Sequence, residues 1–78
     1  MNTTIISSNL TMREIEIIYA LSYGLSSDEI ATQLFISVFT VNTHRRNAMD
    51  KVNARNAAHL VRICFEAGYI VDSQPRIA

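Results

Sequence analysis

The sequence predicts an all-α domain of four short helices, and three observations carry that prediction. Residues able to cap a helix, Thr11, Ser26, Ser37 and Asn56, each stand just ahead of an apolar-patterned run, where their side chains can accept from the free amides of a first helical turn. Within those runs apolar residues recur at helical spacing, and no segment reads as a convincing strand. The two glycines, Gly24 and Gly68, follow two of the runs, where a left-handed residue ends a helix. A composition of 49% apolar and 18% charged residues with one proline suits a compact helical domain, and 78 residues allow one domain with a small core.

The elements follow in order. Residues 1–9, rich in Ser, Thr and Asn, read as a flexible N-terminal arm. Thr11-x-x-Glu14 is a capping box, in which the Thr hydroxyl takes an amide of the first turn and the Glu returns to the cap amide. Leu10 can staple onto Ile15, and Leu10, Ile17, Ile18 and Leu21 form one apolar stripe ending at about Tyr23, before Gly24. Ser26-x-x-Glu29 repeats the box, and Asp28 adds negative charge near the positive end of the helix dipole. Ile30, Ala31 and Leu34 give this second helix its buried face, and it ends near Phe35.

Ser37 caps a third helix from about Val38 to Val52. At about 100° per residue, Val41, His44, Ala48 and Val52 fall in one core-facing arc, with Val38 and Arg45 at its edge. Phe39, Thr43, Arg46 and Asp50 lie opposite; Asn42 and Met49 flank one side, and Thr40, Asn47 and Lys51 the other. Asn53-Ala54-Arg55 is a connection. A fourth helix occupies about 56–67, with Ala57, Leu60, Val61 and Cys64 as its apolar stripe. Tyr69 and Ile70 can fold back on the core, and residues 71–78, with Pro75, read as a C-terminal tail.

Several function classes are excluded at this level. No apolar run is long enough to span a bilayer, and the N-terminus lacks the basic start and apolar stretch of a secretory signal. The single cysteine, Cys64, provides neither a disulfide framework nor a CxxC or CxxH metal spacing. A cytoplasmic protein without membrane, metal or cofactor is expected. No nucleophile–base pair or carboxylate dyad marks an enzyme. The formal net charge is zero, but residues 1–37 sum to −3, residues 38–62 to +4 and residues 63–78 to −1. A positive middle between acidic flanks directs one face toward a polyanion.

The short second helix, the tight turn and the third helix with its polar outer face form a helix-turn-helix. Ala31 stands where the two helices approach most closely, and Ile30, Leu34, Ile36 and Val41 fill the angle between them. Phe35 and Ile36 occupy the turn where many such motifs use glycine. In order along the chain come LTMRE at 10–14, G-L-S with EIA at 24–31, QLFIS at 33–37, TVNTH at 40–44, Asn47, Lys51 and AGYI at 67–70. With these residues, residues 10–70 resemble the LuxR/GerE-type DNA-binding domain of bacterial transcription regulators. The resemblance implies a four-helix domain whose third helix reads the major groove of double-stranded DNA and whose fourth helix is used for dimerisation; the small apolar patch on that helix leads to the expectation of a weak homodimer, strengthened on DNA. By similarity Asn42, Thr43 and Arg46 face base edges, and Thr40, Asn47, Lys51 and Arg55 lie near the sugar-phosphate backbone. Three residues depart from the family pattern. Asn42 stands where lysine is frequent, which bears on the strength of binding and the preferred bases. Ala48 and Val52 replace larger aliphatic residues, which implies slightly looser packing beneath the third helix.

The chemistry of these side chains agrees with those roles. Arg46 can bond guanine O6 and N7, Asn42 can bond adenine N6 and N7, and the Thr43 methyl can touch thymine while its hydroxyl bonds either way. Lys51 and Arg55 suit phosphate. Phe39 admits two readings, contact with a thymine methyl or packing on the second-helix side of the turn. His44 reads as a structural or backbone-positioning histidine, His59 as solvent-facing, Cys64 as a small core residue, and Tyr19 and Tyr23 as core-edge residues. Ala58, Ile63 and Phe65 point away from the fourth helix's core stripe and form the expected dimer interface; the alternative has Phe65 folded on Tyr69 or the first helix within one monomer. The chain is expected to be a stand-alone small regulator or the output domain of a larger one, and its initial Met and short arm favour the former. A rival reading is a helix-turn-helix-derived interaction module that binds RNA polymerase or another regulator.

Overall fold

The computed structural model describes residues 10–71, so the arm expected over 1–9 and the tail from residue 72 onward lie outside the described residues. Four helices occur among them: α1 Met12–Ser22, α2 Ser27–Leu34, α3 Val38–Val52 and α4 Ala57–Ala67. No strand occurs among the described residues.

Each helix starts where a side chain satisfies a first-turn amide. Thr11 and Ser26 form complete capping boxes with Glu14 and Glu29, Ser37 accepts from the Thr40 amide, and Asn56 accepts from the His59 amide. The helix ends share one device. A left-handed residue lets the next amide close on a carbonyl five residues back: Leu25 on Ala20, Ile36 on Ala31, Ala54 on Met49 and Tyr69 on Cys64. Gly24, Asn53 and Gly68 adopt this conformation readily. Phe35 does so at φ 60° and ψ 42°, at a steric cost of about 1–2 kcal/mol for a residue with a Cβ. The turn that normally uses glycine is therefore made by the same backbone geometry with a large side chain on it.

The core consists of two clusters. Leu10, Ile18, Ala48, Leu60, Cys64 and Ile70 form one, with Ile15, Met49, Val52, Val61 and Tyr69 packed around it. Ile17, Ile30, Ala31 and Val41 form the other, bordered by Leu25, Leu34, Ile36 and Val38. The adjacent residues Ile17 and Ile18 point into different clusters, because consecutive helical side chains diverge by about 100°. α1 and α3 reach both clusters, whereas α2 contributes to the second and α4 to the first. Despite its small side chain Ala48 is fully enclosed, and Val52 is half-buried beside it.

Candidate nucleic-acid interface

The arc of α3 opposite the core is open. Val41 and Ala48 are buried, whereas Phe39, Asn42, Arg46, Asn47 and Asp50 are exposed and Thr43 is half-buried. Phe39 is 78% exposed, so the packing against α2 that the sequence left open is not made. Phe35, in the turn just ahead of α3, is 93% exposed.

Hydrogen bonds within this face fix what several side chains can offer. Ser37 Oγ donates to Thr40 Oγ1 at 2.9 Å while accepting from the Thr40 amide, so the Thr40 hydroxyl proton remains for an acceptor such as phosphate. Thr43 Oγ1 donates to the Phe39 carbonyl at 3.0 Å. Its only hydroxyl proton is thus committed, and toward a base it can only accept, where the sequence alone allowed either direction. Asn42 Oδ1 lies 2.9 Å from Ser27 Oγ, and Arg45 Nη1 donates to that same oxygen at 2.6 Å. Arg46 and Asn47 bond to no other described side chain.

Lys51 is placed differently from a simple phosphate contact. Its ammonium reaches across to α1 and bonds both Glu14 oxygens, at 2.8 and 3.1 Å. Glu14 is only 3% exposed and also accepts from the Thr11 amide at 2.9 Å. One carboxylate therefore closes the α1 capping box and ties α1 to the end of α3. Burial by itself would raise its pKa. The Lys51 ammonium, the Thr11 amide and the nearby His44 outweigh that and hold the carboxyl below its ordinary value. His44 is half-buried on the core side of α3.

The connection to α4 carries a further contact. His59, expected in solvent, is half-buried, and its Nδ1 accepts from the Arg55 amide at 3.0 Å. Arg55, in the connection after α3, is exposed. On α4, Leu60 and Cys64 are fully buried, and burial pushes the Cys64 thiol up, away from a reactive thiolate. The expected dimer residues do not form one patch. Ala58 and Phe65, seven residues apart, share a face with the Arg62–Glu66 ion pair at 2.7 Å, and Phe65 is 39% exposed. Ile63 lies about 160° round the helix from Phe65 and is half-buried. Tyr19 and Tyr23, with ring centroids 5.1 Å apart, lie beside a groove of about 590 Å³ between α1 and α2. No metal-holding cluster and no helix able to cross a membrane occur among the described residues.

Four helices with α2 and α3 in this relation and a polar arc on the outside of α3 define a helix-turn-helix regulatory domain. The family described as bacterial regulatory proteins, luxR family, matches residues 8–64, and the chain belongs to that family. It is 35% identical over 60 residues to the uncharacterized transcriptional regulatory protein YxjL of Bacillus subtilis, covering 77% of this chain and 28% of that one. It is 40% identical over 60 residues to the transcriptional regulatory protein FixJ of Rhizobium meliloti, covering 77% and 29%. Among solved structures it is similar to the response regulator ChrA of a heme-sensing two-component system, with TM-score 0.77, 35% identity, and coverage of 81% and 31%. It is also similar to VqmA of Vibrio cholera, solved in a complex with ligand and DNA, with TM-score 0.72, 28% identity, and coverage of 88% and 30%. The chain spans less than a third of each of these proteins. It carries the helix-turn-helix domain of the luxR family of bacterial regulatory proteins.

Proposed function

We propose that the domain binds double-stranded DNA sequence-specifically in the bacterial cytoplasm, with α3 in the major groove and α4 joining two copies. One observation carries this reading: Asn42, Thr43 and Arg46 stand together on the arc of α3 turned away from the buried Val41 and Ala48. These three side chains meet base edges. Thr40, Asn47 and Arg55 border them and contact the sugar-phosphate backbone. Lys51 adds its charge to the local field while its ammonium holds Glu14. Ala58 and Phe65 form the centre of a self-complementary α4 patch, and Ile63, about 160° round the helix from Phe65, lies outside that centre. Two copies related by a two-fold axis would set their recognition helices about one turn of DNA apart, which favours an inverted-repeat site.

The test is a duplex selected from random sequence, titrated by fluorescence anisotropy against the same duplex scrambled. Arg46→Ala is expected to cost about 1–3 kcal/mol on the selected duplex and to relax preference at one base pair. An equal loss on both duplexes would reduce Arg46 to a phosphate contact and remove the base-reading role.

A further inference from the structure

Ser27, at the start of α2, touches two residues of α3 at once. Arg45 Nη1 donates to Ser27 Oγ at 2.6 Å, and Ser27 Oγ lies 2.9 Å from Asn42 Oδ1. A serine hydroxyl has one proton and two lone pairs, and a guanidinium can only donate. Arg45 therefore occupies a lone pair, and the Ser27 proton must go to Asn42. Only the amide oxygen can accept it. The chain Arg45 to Ser27 to Asn42 thus fixes which end of the Asn42 amide faces the protein, an orientation that atom positions seldom settle by themselves. The guanidinium also polarises the hydroxyl and strengthens its donation. Ser27 and Arg45 are both half-buried, whereas Asn42 is exposed on the outer arc of α3.

We propose that Ser27 and Arg45 are positioning residues that set the hydrogen-bond polarity of Asn42, holding its oxygen against α2 and presenting its NH2 to the DNA. The proposal rests on the reading of α3 as the base-reading helix. A freely rotating asparagine pairs bidentately with adenine, accepting from N6 and donating to N7. With its oxygen held, Asn42 offers donors alone. The matching base edge is that of guanine, whose O6 and N7 both accept; thymine O4 and adenine N7 each offer a single acceptor, and the N6 amino group of adenine has no partner there. Asn42 therefore selects guanine over adenine at its base pair, although residue type alone points to adenine.

The experiment measures base preference with a panel of duplexes varied at each position of the selected site. The position read by Asn42 is the one at which preference disappears in Asn42→Ala. There the unaltered protein is expected to prefer guanine. Ser27→Ala should move the preference toward adenine about fivefold, the effect of one exchanged hydrogen bond, with an unchanged helical circular-dichroism spectrum and unchanged affinity for scrambled duplex. Ser27→Thr, which restores the hydroxyl, should restore the preference. Arg45→Met, which leaves the Ser27 hydroxyl free to turn, should shift it in the same direction as Ser27→Ala. An adenine preference in the unaltered protein, or no shift in both Ser27→Ala and Arg45→Met, would overturn the proposal while leaving DNA binding intact. Failure of the unaltered protein to distinguish any duplex would overturn the base-reading function as well.

Discussion

Replacing Lys51 with methionine separates a structural role from a nucleic-acid role. The substitution removes the ammonium that bonds both Glu14 oxygens and leaves a carboxylate that is 3% exposed. Breaking a fully buried pair from one side costs about 3–5 kcal/mol. Here the Lys51 side chain retains 30% exposure and the Thr11 amide still donates to Glu14, so about 2–3 kcal/mol is expected. In a domain of this size that lowers Tm by about 10–20 °C, which thermal circular dichroism would record. Glu14→Gln combined with Lys51→Met should recover much of the loss, because a neutral amide needs no counter-charge. The pair also makes a signed pH dependence. Glu14 titrates below its unfolded value, so its stabilisation is full above the ordinary glutamate range and is lost as pH falls through the lower folded value. The double variant should lack that part of the acid destabilisation. In DNA binding, measured where Lys51→Met is folded, the salt slope should stay unchanged; a phosphate contact would make it shallower by about 0.9. An unchanged Tm with a shallower slope would refute the structural assignment.

Phe39→Ala should leave Tm unchanged, because the ring is 78% exposed, and should cost about 1 kcal/mol on sites with a thymine methyl beneath it; equal weakening on thymine-free duplexes would dismiss that contact. Phe35→Gly should raise stability by about 1 kcal/mol by relieving the left-handed backbone, and a lower midpoint in urea would show that the ring contributes more than the strain costs. In sedimentation across a concentration series with a two-half-site duplex, Phe65→Glu should reduce two bound copies to one, and Ile63→Glu should do so less. Persistence of the two-copy complex in Phe65→Glu would remove α4 from the interface.

The elements were legible because their signals are local. Thr11 with Glu14, Ser26 with Glu29, and Gly24 and Gly68 act within one turn of the backbone they control, and the two core stripes follow from helical spacing. Two features of the interface were not legible. The Lys51–Glu14 pair joins residues 37 apart in sequence, and nothing near Glu14 distinguishes a cap glutamate that also meets a lysine from one that does not. The contact from Ser27 to Asn42 and Arg45 depends on how α2 crosses α3, which apolar spacing constrains only loosely. His59 was legible in principle, since it stands at the third helical position, where a glutamate or glutamine would return to the backbone; its imidazole does a similar service one residue further back, for the Arg55 amide. Ala58, Ile63 and Phe65 were grouped by exclusion from the core stripe, a criterion that says where side chains do not point and so joined residues on different flanks of α4.

The divided core has a consequence for how such a sequence can change over time. α2 rests on the cluster around Ile17, Ile30 and Val41, and α4 on the cluster around Ile18, Leu60 and Cys64; α1 and α3 are the common frame. Substitutions at well-separated sites without shared partners act nearly independently. On the proposed reading, residues of α2 and the first turns of α3 can therefore drift toward a new operator without repacking the α4 side, and the exposed face of α4 can change without disturbing α2 or the start of α3. Constraint falls instead on α1 and the middle of α3, where one altered side chain is felt by both halves. Such an arrangement lets duplicated copies diverge in target and in partner by separate routes.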